Sequence, residues 1–100
     1  MKSEIKELLG YNLRRIRKLK NLSQIQLAEQ VDMAFTFISD IENGKKWVSP
    51  ETLEKLSKAL DVEVYQFFLP KDYNFSENKT IKSYSKEIYD AIKRIESRYI

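Results

Sequence analysis

Cysteine and histidine are absent from the 100-residue sequence. Their absence excludes disulfides, thiolate nucleophiles, imidazole bases and almost all transition-metal sites built on nitrogen or sulfur. The Asp and Glu residues that remain show no recognisable catalytic spacing, so an enzyme is the least favoured class of function. We therefore expect no catalytic residues, no metal and no cofactor.

Glycine and proline are scarce, with two of each, and the sequence has no long apolar run. Few obligate breaks, together with abundant Leu, Ile, Lys and Glu, favour helices over irregular chain. The N-terminal residues lack the apolar stretch of a signal peptide, and no segment is long enough to span a bilayer. We expect a cytoplasmic protein without membrane association, and the missing cysteines fit that compartment.

The length and the 42% hydrophobic content are those of one domain with one core. Apolar residues recur at three- and four-residue steps, which predicts an all-α bundle. Ser23 with Gln26 forms a capping-box pattern at one helix start, and Ser49 followed by Pro50 marks another. The five predicted helices run from Ile5 to near Asn21, from Ser23 to Val31, from Ala34 to Asn43, from Ser49 to Leu60 and from Val64 to Leu69.

The residues expected to fill the core are the apolar ones at these helical spacings. Pro70 is expected to close this domain, which comprises residues 1–70. The expected core consists of Leu8, Leu9, Leu13, Ile16, Leu19, Leu27, Ala28, Val31, Phe37, Ile38, Ile41, Leu53, Leu56, Leu60, Val64, Phe67 and Phe68.

The rest of the sequence predicts a linker, residues 71–79, and an additional amphipathic C-terminal helix, residues 80–100. Such a helix requires burial against its own domain, against the same helix of a second chain or against a protein partner. We favour the second arrangement, which makes a homodimer. The apolar stripe of this helix consists of Ile81, Tyr84, Ile88, Ile92, Ile95 and Tyr99.

Positive charge is concentrated near the N-terminus, although the net charge is only +3. Residues 1–22 carry seven basic residues, Lys or Arg, and two acidic residues, Asp or Glu. Residues 23–69 carry four basic and eight acidic residues, and residues 70–100 carry seven basic and five acidic residues. A local cluster of this kind is typical either of a solvated helix face or of a surface that binds nucleic acid.

The segment LRRIRKLKNLSQIQLAEQVDMAFTFISDIENGK, followed by SPETLEKLSKALDV, carries the most informative motif. Its diagnostic residues are Arg17, Ser23, Gln24, Leu27, Ala28, Ile38, Ile41, Glu42 and Gly44. At this spacing, residues 8–69 resemble the Cro and phage-repressor type of helix-turn-helix domain, the xenobiotic-response-element family. The resemblance implies a DNA-binding domain whose third helix enters the major groove.

The resemblance further implies that the N-terminal half of the third helix faces base edges, through Phe35, Thr36, Ser39 and Asp40. Thr36 carries most weight because its hydroxyl donates or accepts and its methyl group can touch a thymine methyl. Two interpretations of Asp40 stay open, a contact to a cytosine amino group or a surface pair with a lysine. Phe37 is expected to pack in the core or at the groove edge rather than to contact bases.

Phosphates are expected to bind near the start of the second helix, where free N–H groups attract anions, and along the basic residues around it. Arg17 and Glu42 match a family ion pair that joins the first helix to the end of the third, so we interpret both as structural. The expected phosphate-binding residues are Arg14, Gln24, Asn43, Lys45 and Lys46, with Arg15 as a further candidate, and one of the two arginines is expected to be only a solvated side chain.

The sequence departs from the family pattern at two kinds of position. Asn21, Asp32 and Asp61 stand where glycine is common, but these residue types tolerate left-handed backbone. Trp47 and Val48 replace a common Asn-Pro pair, so the loop before Ser49 is expected to follow another course.

The leading hypothesis is a homodimer that binds double-stranded DNA at a palindromic operator and represses transcription. The alternative is an antitoxin-like or other protein-interaction module that holds a protein partner through the C-terminal helix and binds DNA secondarily.

Overall fold

The computed structural model describes residues 4–73, which form four α-helices and one 3₁₀ helix. No strand occurs among these residues, so the prediction of an all-helical fold is confirmed. The C-terminal helix predicted over residues 80–100 lies outside the described residues. The helices are α1 (Glu4–Leu19), α2 (Gln24–Gln30), α3 (Phe35–Glu42), α4 (Pro50–Leu60) and the 3₁₀ helix (Val64–Phe68).

The core contains most of the apolar residues that the helical spacing indicates, and Phe37, Leu53 and Phe68 pack against it while remaining partly exposed. Full burial of a large apolar side chain contributes about 1.5–3 kcal/mol, so these contacts provide the main stabilisation of the bundle. The buried apolar residues are Leu9, Leu13, Ile16, Leu27, Ala28, Val31, Ile38, Ile41, Val48, Leu56, Leu60 and Phe67.

The prediction that Leu19 is buried is wrong, because this side chain is exposed at the last residue of α1. The chain turns at Asn21 immediately afterwards, and Leu22 packs against the core instead. The loop before α4 buries Val48, whereas Trp47 is exposed and its ring centroid lies 6.1 Å from that of Phe68.

All four α-helices end in the same motif, with one residue in the left-handed conformation. The amide of the next residue then donates to the carbonyl five residues earlier, at 2.9–3.1 Å, which is the Schellman arrangement. The tolerance for left-handed backbone expected of Asn21, Asp32 and Asp61 is confirmed, since their φ angles are 59°, 53° and 54°. Gly44 closes α3 with a φ of 72°.

The helix starts also follow the sequence signals. Ser23 and Gln26 form a complete capping box: the Ser23 hydroxyl accepts from the Gln26 amide at 3.0 Å, and the Gln26 side chain accepts from the Ser23 amide at 2.8 Å. Ser49 caps α4 by accepting from the Thr52 amide at 3.2 Å. Within residues 4–73, no helix is both long enough and apolar enough to cross a membrane.

Helix α1 contacts both α3 and the 3₁₀ helix. Gly10 allows the approach to α3, because a β-carbon at this position would collide with the Ile41 carbonyl oxygen and lie 2.7 Å from that of Glu42. The backbones of α1 and α3 are therefore in direct contact at Gly10. Two other residues of α1, Asn12 and Arg15, hold the chain that leaves the 3₁₀ helix.

Candidate nucleic-acid interface

Helix α3 is buried on one side and open on the other. Ile38 and Ile41 lie in the core, whereas Phe35 is 46% exposed and Thr36 is also exposed in the first turn. Ser39 and Asp40, one turn later, are half-buried. The structure therefore places all four residues predicted to contact bases on α3, with the first two the most accessible.

A buried carboxylate, that of Glu42, joins α1 to the end of α3. Arg17 donates from Nε to Oε2 at 2.6 Å and from Nη2 to Oε1 at 3.0 Å, so the contact is bidentate. The Glu42 side chain is fully buried and that of Arg17 is 9% exposed. A pair of this geometry satisfies both charged groups in a site that excludes water.

Two residues predicted to bind phosphate also donate to Glu42. Gln24 Nε2 lies 2.9 Å and Arg14 Nε 3.4 Å from Glu42 Oε1. Arg14 remains 44% exposed and donates from Nη2 to Asn43 Oδ1 at 3.2 Å. We call Arg14, Arg17, Gln24 and Glu42 the Glu42 network, which connects α1, α2 and α3 at one end of the open face of α3.

The network sets the charge state of its central carboxyl. Burial alone would raise the pKa of Glu42, but the hydrogen bonds from Arg17 and Gln24, the charge of Arg17 and the bond from Arg14 together outweigh it and hold the pKa below its ordinary value. Glu42 is therefore ionised at neutral pH. Its negative charge is surrounded by donors and does not oppose a nearby phosphate as an isolated carboxylate would.

Lys45 and Lys46 follow α3, and both are exposed. Lys46 Nζ lies 3.6 Å from Asp40 Oδ2 and 5.7 Å from the centroid of the Phe37 ring. The lysine pairing that the sequence left open for Asp40 is thus present, and Lys46, predicted to bind phosphate, lies beside a carboxylate. Phe37 packs partly against the core.

Sequence reasoning missed an apolar residue at this face. Ile25, at the start of α2, is exposed and lines the same shallow groove as Met33, Ala34 and Phe35. The available signal was a large apolar residue in the first turn of α2, directly after Gln24. The groove has a mixed lining, because Glu29 and Asp32 also contribute to it.

Asn12 and Arg15 have roles that the sequence did not indicate. Asn12 Nδ2 donates to the carbonyls of Phe67 and Leu69 at 2.9 and 2.8 Å, and Arg15 Nη1 donates to that of Tyr73 at 2.9 Å. Arg15 Nη2 in turn donates to Asn12 Oδ1 at 2.7 Å. Arg15 is thus neither a solvated side chain nor part of the Glu42 network. The signal for Asn12 was a polar residue within the apolar stripe of α1.

Comparison with known proteins identifies the family. The helix-turn-helix family model, HTH_3, matches residues 13–67. The chain belongs to this family. The resemblance to the Cro type of helix-turn-helix domain is therefore confirmed, and the helix-turn-helix chain is a member of a family of DNA-binding transcription regulators.

Relatives of this helix-turn-helix chain include control proteins and repressors. It is 47% identical over 64 residues to control protein C.BamHI of Bacillus amyloliquefaciens, which covers 63% of the chain and 79% of that protein. It is 31% identical over 88 residues to the immunity repressor protein of Bacillus phage phi105, which covers 80% of the chain and 61% of that protein.

A solved structure of similar fold contains DNA. The restriction-modification controller protein C.Esp1396I matches with a TM-score of 0.60 and 29% identity, over 66% of this chain and 87% of that chain. That crystal structure is of a tetramer in complex with its natural operator of 35 base pairs.

Proposed function

We propose that this chain binds a palindromic operator in double-stranded DNA as a dimer and represses transcription. The observation that carries the proposal is the open face of α3, where Phe35 and Thr36 project from a helix that the core and the Glu42 network hold from behind. An exposed helix of this kind fits the width of the major groove. The membership of the family and the similarity to a phage immunity repressor support the same function.

Phosphate contacts would fix the position of α3 in the groove. Arg14 and Gln24 reach this face from two different helices, and their bonds to Glu42 restrict their side chains before DNA arrives. Restricted donors lose less conformational entropy on binding, which favours a contact. Asn43 and Lys45 would add contacts beyond the end of α3.

The dimer would come from the C-terminal part of the chain. In this proposal residues 1–70 bind DNA, residues 71–79 form a linker, and the helix of residues 80–100 pairs with its copy in a second chain. Two-fold symmetry of the protein then matches the two halves of a palindrome. The operator-bound tetramer of C.Esp1396I is consistent with assembly of such chains on DNA. A regulator of this kind acts where the chromosome is, in the cytoplasm.

The experiment begins with selection of bound fragments from random duplex DNA, followed by titration of the selected duplex by fluorescence anisotropy. We expect an inverted repeat, an affinity that falls steeply with salt and a dimer mass in solution. Thr36→Ala should weaken binding to the selected duplex by roughly 1–3 kcal/mol and leave binding to unrelated DNA unchanged. A repressor should also lower transcription from a promoter that contains the selected sequence.

Two matched variants separate the groups of Thr36. Thr36→Ser keeps the hydroxyl and Thr36→Val keeps the methyl, so the variant that retains affinity shows which group contacts the base. Lys45→Met should lower the affinity for all duplexes alike. It should also reduce the magnitude of the slope of log affinity against log salt concentration by about one per half-site. Equal binding of selected and unrelated duplexes at every salt concentration would refute sequence-specific operator binding.

A further inference from the structure

We propose that Asp40 selects a cytosine in each operator half-site, and that Lys46 holds the Asp40 carboxylate and offsets its charge beside the DNA phosphates. The inference rests on the proposed function, because it requires the open face of α3 to lie in the major groove. It assigns Lys46 to base selection through Asp40, whereas Lys45 would serve general phosphate binding.

Asp40 lies one helical turn after Thr36 on α3. Residues four positions apart share a face of a helix, so Asp40 continues the surface that Thr36 begins. The Asp40 side chain is 32% exposed, which leaves it accessible to a base while its surroundings restrict its position. An acidic residue on a face that would approach phosphates requires a compensating charge.

The residues that follow α3 supply this compensating positive charge. Gly44 adopts a left-handed conformation, with a φ of 72°, and donates to the Ile41 carbonyl at 3.0 Å. The Lys45 amide then donates to the Asp40 carbonyl at 2.9 Å, which turns the chain back along α3. Lys46 follows directly, and its Nζ lies 3.6 Å from Asp40 Oδ2. The placement of Lys46 is therefore a consequence of how α3 is capped.

Phe37 fixes the lysine from a second side. Lys46 Nζ lies 5.7 Å from the centroid of the Phe37 ring, within the range of a cation–π contact. Phe37 itself packs against the core, which restricts the position of its ring. Lys46 is thus held between a ring and a carboxylate of the same helix.

The chemistry of the carboxylate identifies the base. An ionised carboxylate accepts hydrogen bonds and donates none, and it has about four lone-pair sites, so the contact with Lys46 leaves acceptor capacity. In the major groove guanine presents acceptors, thymine an acceptor and a methyl group, and adenine a donor beside an acceptor. Cytosine presents a lone amino donor, which makes it the base that Asp40 fits.

The test uses Asp40→Asn on the selected operator. The amide of asparagine has a donor and an acceptor and matches the edge of adenine, so the variant should change the preferred base at one position per half-site from cytosine to adenine. We expect the wild type to favour cytosine there by roughly 5- to 150-fold over the other bases, and Asp40→Ala to lose this preference. Affinities are measured for all four bases at each position of one half-site.

Lys46 is tested by a double-mutant cycle with Asp40→Asn. Lys46→Met should weaken operator binding more in the wild-type background than in the Asp40→Asn background, because the neutral amide needs no compensating charge. Lys45→Met is the matched control, and its effect should be the same in both backgrounds. Circular dichroism of each variant checks that the fold is retained, which the exposed positions of both lysines favour.

The outcomes distinguish this inference from the function on which it rests. Unchanged base preferences in Asp40→Asn, or equal effects of Lys46→Met in the two backgrounds, would overturn the inference while Thr36-dependent operator binding remained. Absence of salt-dependent duplex binding by the wild type would overturn both.

Discussion

Replacement of Glu42 by alanine should strongly destabilise the domain. The change leaves the Arg17 guanidinium, only 9% exposed, without the carboxylate that neutralises it. Arg17 keeps a bond from Nη1 to the Leu22 carbonyl at 2.7 Å, which satisfies one donor but not the charge. Loss of one partner of a buried ion pair costs about 3–5 kcal/mol. Arg14 and Gln24 add less, because they extend to more exposed surroundings and water can replace their bonds.

This loss is large compared with the total stability of a small domain, about 5–15 kcal/mol. Urea titration followed by far-UV circular dichroism measures this loss of unfolding free energy directly. In thermal unfolding, the midpoint temperature should decrease by about 4–8 °C for each kcal/mol lost. Glu54→Ala, an exposed carboxylate on α4, is the matched control and should change the free energy of unfolding by less than about 0.5 kcal/mol.

A second variant separates the stranded charge from lost packing. Arg17→Met combined with Glu42→Leu removes both charges and keeps apolar volume, so it should recover much of the stability that Glu42→Ala loses. The reasoning fails if Glu42→Ala unfolds at the same urea concentration as the wild type. It fails equally if the double variant is less stable than Glu42→Ala alone.

Three further predictions concern pH, helix contact and helix capping. The pKa of Glu42 is lower in the folded than in the unfolded protein, so its ionisation stabilises the fold. This stabilisation is fully present above the unfolded pKa, about 4.3, and is lost as the pH falls through the folded pKa. Glu42→Gln should remove this part of the pH dependence of the urea midpoint. Gly10→Ala should lower the free energy of unfolding by about 1–3 kcal/mol, because the β-carbon meets α3 backbone; a stability equal to wild type would contradict the contact. Asn21→Ala should cost about 1 kcal/mol in thermal unfolding, and Asn21→Gly less, because residue 21 has a φ of 59°; equal losses would argue against the left-handed conformation.

Local signals in the sequence predicted the helices well. The capping box at Ser23, the Ser49-Pro50 start and the left-handed residues at helix ends each depend on atoms only a few residues apart. The core followed from helical spacing, because burial on one side of a helix requires that spacing. Leu19 was misjudged since periodicity alone does not show where a helix leaves the bundle.

Contacts between distant residues were less predictable. The pairing of Arg17 with Glu42 came from a family pattern, but nothing in the sequence indicated that Arg14 and Gln24 also donate to Glu42, 28 and 18 residues away. The bonds from Asn12 to the Phe67 carbonyl and from Arg15 to the Tyr73 carbonyl span more than 50 residues. Such partners are set by how helices pack, and packing depends on the whole chain rather than on neighbouring residues.

Helix α1 contacts α3 through Gly10 and Arg17, and it holds the chain after the 3₁₀ helix through Asn12 and Arg15. One rigid rod therefore sets both the orientation of α3 and the point from which the polypeptide continues after Tyr73. The position of Tyr73 is therefore fixed relative to the exposed face of α3. Substitution of Asn12 would remove its bonds to the Phe67 and Leu69 carbonyls, so the chain after the 3₁₀ helix would be held less firmly against α1.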